Sequence, residues 1–293
     1  MELYDLFSLG DVEEEFKRYI LNIEQTFPKW LEEQNEEHDT ALYLLLTYYY
    51  FLNYLADSEV LSHADQGSFL LASKTSTDVY AIYSFLKSGC VHQASIILRS
   101  LFETAVTTKF IYGDLKYRME LFLNYKYIEK HLAIKKDKRI IPANEHAEIG
   151  RMFEQIKHQY NLKSSWYSKH LWGIMEQDSK LKHKYRKANF KALCEVVEMN
   201  GDYDKLYGAL SMTVHGSPVV DHLFVSKGNF TAAPVFNSMQ IITTSSLAIH
   251  YAHTVFRYIV EHSENQRAKK MIDYSTWLSY ASAKVAKEAN FLD

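Results

Sequence analysis

Residues 88–112 read SGCVHQASIILRSLFETAVTTKFIY, and this stretch decides the fold. After Gly89 it holds neither glycine nor proline, and it is apolar nearly all round. A helix of that kind, here from about Val91 to Tyr112, belongs in the middle of a helical core. Ser88-Gly89 closes the preceding helix, Gly67 to Lys87, as a C-cap glycine does. So short a connection makes the two helices antiparallel neighbours. Inside the oily run sit Arg99 and Glu103, one helical turn apart and therefore on one face. Ionisable groups on a buried helix lose much of their hydration, at a cost of several kcal/mol per ion before pairing offsets it.

The composition agrees with a helical bundle. Among 293 residues there are 10 glycines and 4 prolines, which leaves few turns for a many-stranded fold. Hydrophobic residues make up 47%, ample for a core. A formal net charge of -3 gives no global attraction to nucleic acid, so any phosphate binding must come from a local patch. Cys90 and Cys194 lie in apolar helical contexts and read as small core residues of a reducing compartment. The acidic segment MELYDLFSLGDVEEEF has neither the basic nor the apolar region of a secretory signal. ALYLLLTYYYFLNYLAD is shorter than the ~20 apolar residues that span a bilayer. A cytoplasmic protein without a membrane segment is expected.

Residues 11–35 read as an acidic amphipathic helix interrupted near Pro28, an outer layer with Val12, Phe16, Tyr19, Ile20 and Ile23 on one face. Asp39 or Thr40 caps a helix running to Asp57. Further helices are expected at 115–136, 143–160, 188–199, 203–214, 237–262 and 264–289. Between His215 and Val235 the pattern changes, because Gly216, Pro218, Gly228 and Pro234 punctuate short β-branched segments. These read as a long ordered loop or a small hairpin near 216–236. The fold class is all-α: a helical bundle with that loop or hairpin. Its parts are N-terminal peripheral helices over 1–36, a main helical domain over 37–262 with an insertion around 139–190, and a C-terminal helix over 263–293 packed on the main domain.

YGALSMTVHGS, residues 207–217, ends a later helix and places Tyr207, Ser211 and His215 at four-residue spacing on one face. Where that face meets Arg99 and Glu103, the set suits phosphoryl chemistry. Arg neutralises charge on phosphate oxygens, His moves a proton near neutral pH, and Glu orients either of them. The competing possibility is a structural clasp, with Glu103 accepting bonds from Arg99 or a neighbouring helix to fix register. His92, on the same stripe as Arg99, reads as a core histidine. A serine hydrolase is excluded because the strand-turn-helix context and G-x-S-x-G spacing are absent. There is no Glu-x-x-His pair of a ferritin-like site, His250 and His253 lack a third ligand, and no glycine-rich phosphate loop occurs. Neither a metal nor a cofactor is expected. KLKHKYRKANFK, residues 180–191, gathers Lys180, Lys182, Lys184, Arg186, Lys187 and Lys191 around Tyr185 and Phe190. Cations interleaved with aromatics suit single-stranded RNA or a phosphate-containing ligand, and a solvated helix face has the same composition.

GCVHQASIILRSLFET together with YGALSMTVHGS resembles a bacterial family of helical proteins of unknown function, over roughly residues 40–260. The specific parts are Arg99-Ser100-Leu101-Phe102-Glu103 and Leu210-Ser211-x-x-Val214-His215-Gly216. In outline the chain also resembles the HEPN superfamily, helical bundles many of which are metal-independent ribonucleases of toxin and phage-defence systems. That resemblance implies an Arg and a following His with four to six residues between them. Arg257 with His262, Arg139 with His146, and Arg151 with His158 have this spacing, outside the two resembling segments.

The expected function is that of a HEPN-like effector or accessory protein of a bacterial defence or toxin system. It would act on RNA as a metal-independent ribonuclease through Arg99, Glu103 and His215, with Ser211 and Tyr207 beside them. The alternative is a non-catalytic helical module that binds a protein or a small ligand, as a single chain or an oligomer, with Arg99 and Glu103 structural. A solvent-open cleft beside Arg99 and His215, continuous with the basic stretch, marks the first. A sealed pair marks the second.

Overall fold

The computed structural model describes residues 13–57, 61, 65–208, 224–226, 229–231, 234, 236–263 and 265–289. Helix α1 (Glu14–Asn35) leads through a 3-10 turn into α2 (Asp39–Asp57), and α3 (Gln66–Lys87), α4 (Val91–Tyr112) and α5 (Leu115–Lys136) follow. Next come α6 (His146–Ile156), α7 (Ser168–Gln177), α8 (Ser179–Lys184) and α9 (Phe190–Val196). α10 (Asn200–Asp202) runs on into a π-helical turn over Tyr203–Tyr207. Strands β1 (Phe224–Ser226) and β2 (Asn229–Thr231) precede α11 (Ser238–Glu261) and α12 (Gln266–Glu288). The fold is all-α, and this antiparallel pair, with Val225 opposite Phe230, is the only sheet among the described residues.

α4 is the central helix, packed between α3 and α11, and α11 in turn lies against α12, α3 and α2. The sequence explains its place. Leu98, Leu101, Phe102, Ala105, Val106 and Phe110 of α4 are almost wholly buried, leaving Arg99 and Glu103 on its one polar stripe. Each large apolar side chain so buried contributes about 1.5–3 kcal/mol relative to exposure. The α3–α4 corner is a Schellman turn: Cys90 N–H donates to the Phe85 carbonyl (2.8 Å) and Gly89 N–H to that of Leu86 (3.0 Å). Gly89 sits at φ 69°, the left-handed region that glycine enters freely. A Cβ there would come within 2.7 Å of Phe236 and Pro234, so the corner also seats the approach to α11. Asp65, Asn237 and Asn265 cap α3, α11 and α12 through their side-chain oxygens.

Two expectations are corrected. α1 is not interrupted at Pro28 but runs through it, without a buried residue. Proline withholds one backbone N–H, and on so exposed a helix the carbonyl left behind is not sealed from solvent. Its C-terminal end is tied down by Trp30, edge-on to Phe236 at 5.6 Å, and by the Asn35 amide donating to the Lys87 carbonyl at 2.9 Å. Second, the 139–190 segment holds α7, where no helix was expected. The segment packs in two places. α6 packs on α5 around a satellite core of Leu121, Ile128, Phe153, Ile156 and Tyr160, whereas Leu171 and Met175 of α7 join the main core. α12 packs on α11 and α2, with Ser275 bonded to both Tyr48 and His253 at 2.7 Å. Among the described residues no helix is long and apolar enough to cross a membrane.

Candidate functional site

Arg99 and Glu103 meet Tyr207, which arrives from the π turn after α10, a helical irregularity found often at functional sites. Arg99 Nε donates to Glu103 Oε1 at 3.1 Å and Nη2 to the Tyr207 hydroxyl at 2.7 Å. The same hydroxyl donates to Glu103 Oε1 at 2.9 Å, which closes a three-residue knot. The guanidinium carbon also lies 4.6 Å from the Tyr207 ring centroid, a cation–π distance. The ring is held by Phe190 (5.1 Å), Phe102 (6.0 Å) and Tyr203, stacked at 4.8 Å one turn earlier.

Burial pushes the Tyr207 phenol up to about 12, and the neighbouring Glu103 charge adds to the shift. The hydroxyl is therefore protonated near neutral pH and acts as a donor. Desolvation works to lower Arg99, but its bonds to Glu103 and Tyr207 outweigh it and the guanidinium is raised. The knot is not sealed. The Arg99 side chain keeps 20% of its exposure and that of Glu103 keeps 41%. Both are thus less buried than an oily helix alone suggests, and Glu103 lines an open cleft.

That cleft, of about 950 Å³, has Glu103, Thr107 and Tyr207 at one end. Its walls are Phe122, Tyr125, Lys126 and Glu129 of α5, the 162–167 loop and Phe190. A second cleft of about 740 Å³ adjoins it, sharing Ser164, Ser165, Tyr167 and Phe190 as a common wall and adding Lys169, Trp172, Arg186 and Lys187. Together they present five cations, Lys126, Lys163, Lys169, Arg186 and Lys187, against two carboxylates, Glu103 and Glu129. In a chain of net charge -3 this is a local excess of positive charge.

The basic stretch predicted from 180–191 divides. Arg186 and Lys187 line the groove, with no ion pair among the described residues. Lys184 is taken up by Glu195 (2.8 Å) and Lys191 by Asp204 (2.6 Å), while Lys180 and Lys182 stand exposed on α8 outside the cleft lining. Tyr185 is buried and donates to Glu195 at 3.0 Å. Lys163, Trp166, Tyr167 and Lys169 were missed. Their signal was the same one, aromatics interleaved with lysine in KHQYNLKSSWYSKHLW, residues 157–172.

Ser211 and His215 lie outside the described residues. His92 is half-buried. None of the three Arg-to-His spacings joins its arginine to its histidine. Arg257 pairs with Glu261 (3.0 Å) and His262 meets the Tyr258 carbonyl (2.9 Å), whereas Arg139 pairs with Asp137 (2.9 Å) and His146 meets the Ile141 carbonyl (2.9 Å). Arg151 and His158 are both exposed. His253 is bonded to Ser275, and among the described residues no group of three His, Cys, Asp or Glu side chains is placed to hold a metal ion. Cys194 is buried, and that burial pushes its thiol up to about 12, away from the thiolate form.

No curated protein and no solved structure matches the chain. The model of a family of unknown function, DUF5677, matches residues 66–230, more than half of the sequence and the whole span from α3 through the groove to the hairpin, and the chain belongs to that family.

Proposed function

We propose that this protein binds single-stranded RNA along the two adjoining clefts and cleaves it, without a metal ion, beside Arg99, Glu103 and Tyr207. It would be a HEPN-like effector or accessory protein of a bacterial defence or toxin system. One observation carries the proposal: Glu103 and Tyr207, which hold Arg99, line a cleft that shares a wall with the cleft lined by Lys169, Arg186 and Lys187. Bases stack on Trp166, Phe190 and Tyr207, and phosphates lie along the cations. At the knot Arg99 neutralises charge developing on the scissile phosphate and the protonated Tyr207 donates a hydrogen bond to it. His215 moves the proton as the 2′-hydroxyl attacks phosphorus and the 5′-oxygen leaves.

A second reading, a non-catalytic binding module, draws support from the knot itself. Glu103 Oε1 already accepts from both partners, as a structural clasp does. A 5′-labelled single-stranded RNA separates the two. Binding should weaken about tenfold in Arg186→Ala/Lys187→Ala, and the salt slope should fall by about 1.4, at roughly 0.7 per phosphate contact on a single strand. Wild-type protein should cleave the strand, and Arg99→Ala and His215→Ala should not. Equal binding by wild type and the double variant refutes the groove. Binding without any cleavage leaves the module.

A further inference from the structure

A third cavity, of about 370 Å³, lies between α2, α3 and α11 and shares no lining residue with the groove. Protein interiors rarely hold voids much larger than a water molecule, and about 150 Å³ is enough to take a benzene. Its floor is dry core: Leu55 and Val255 have 0% exposure and Phe256 3%. Its mouth is framed by Phe69 and Tyr80, each 47% exposed. The Tyr80 ring lies 4.7 Å from that of Tyr49, so the aromatic wall continues inward. No charged side chain is among the described residues that line it, which sets it apart from the cationic groove. Its polar lining comprises Asn53 with hydroxyl-bearing residues such as Ser73, Ser76 and Thr77, and Asn53 is the only amide among them. Asn53 accepts a 3.2 Å bond from the Ser76 hydroxyl through its oxygen, while its amide N–H groups have no partner among the described residues.

We propose that this cavity binds a neutral, largely aromatic small molecule of one or two rings with one hydrogen-bond acceptor, the rings against the aromatic walls and the acceptor on the Asn53 amide. Apolar pockets with a few convergent polar groups are the usual form of such sites. A charged ligand is disfavoured, because a carboxylate taken into this cavity would find no cation among the described residues that line it.

The test uses the full chain and 2-naphthol as probe, followed by calorimetry and ligand-observed NMR. Saturable one-to-one binding is expected, with 2-naphthoate at least about tenfold weaker. Ala72→Phe, which fills the cavity from α3, should abolish binding, and Asn53→Leu should weaken it about fivefold. Where Ala72→Phe fails to fold, Ser76→Phe at the half-exposed rim takes its place. Absence of saturable 2-naphthol binding overturns the proposal. So does equal affinity for 2-naphthoate, or undiminished binding by the filled variant.

Discussion

The knot of Arg99, Glu103 and Tyr207 makes a quantitative prediction through the double substitution Tyr207→Phe with Glu103→Gln. Phenylalanine keeps the ring and its contacts with Phe102, Phe190 and Tyr203 but deletes the hydroxyl, which donates to Glu103 Oε1 at 2.9 Å and receives Arg99 Nη2 at 2.7 Å. A hydrogen bond to a charged group is worth about 1.5–3 kcal/mol when desolvated. The Glu103 side chain keeps 41% of its exposure, so water competes for the carboxylate and screens it. The coupling energy between the two positions is therefore expected near 1 kcal/mol. Urea unfolding of wild type, both single variants and the double variant, fitted with a common m, measures it. A coupling below about 0.3 kcal/mol, within the additivity of independent sites, refutes the knot.

Arg99→Ala should destabilise by about 1–2 kcal/mol, less than the 3–5 kcal/mol of a fully buried stranded charge, because Glu103 is partly solvated. A melting temperature lowered by roughly 2–3 °C would report this, and an unchanged one would contradict it. Gly89→Ala combines a left-handed φ of 69° with contacts of 2.7 Å to Phe236 and Pro234, so a loss of about 2–3 kcal/mol in urea unfolding is expected. Burial lowers His253 from 6.5 to about 4. The unfolded chain then binds the proton more readily, so this stability is complete above about pH 6.5 and lost as pH falls toward 4. The urea midpoint should drop over that window, and His253→Gln should flatten the drop; an unaltered pH profile in the variant would refute the assignment.

Much of the fold was legible because local signals agreed with the global packing. The unbroken apolar run after Gly89 became α4 at the expected bounds, Val91–Tyr112, and the glycine became the left-handed residue of the α3–α4 turn. The change of pattern after His215 was sound as well, since β1 and β2 fall inside 216–236. Pro28 misled because a proline's cost depends on whether the helix is solvated, which sequence does not state. α7 escaped because its first turn has no side-chain cap and its ten residues carry few alternations. Tyr207 could be singled out by its helical spacing from Ser211 and His215, yet its hydroxyl's bond to a carboxylate 104 residues away is a tertiary fact. Lys184 and Lys191 looked free because Glu195 and Asp204, which neutralise them, lie 11 and 13 residues on, across a turn.

Photocrosslinking of a 4-thiouridine-substituted single-stranded RNA to the intact chain, read by mass spectrometry, tests the central claim most directly. Crosslinks on peptides bearing Trp166, Tyr167, Phe190 or Tyr207, lost in Arg186→Ala/Lys187→Ala, are the predicted result. Crosslinks confined to other exposed aromatics, such as Trp277 or Tyr43, or none at all, would contradict it.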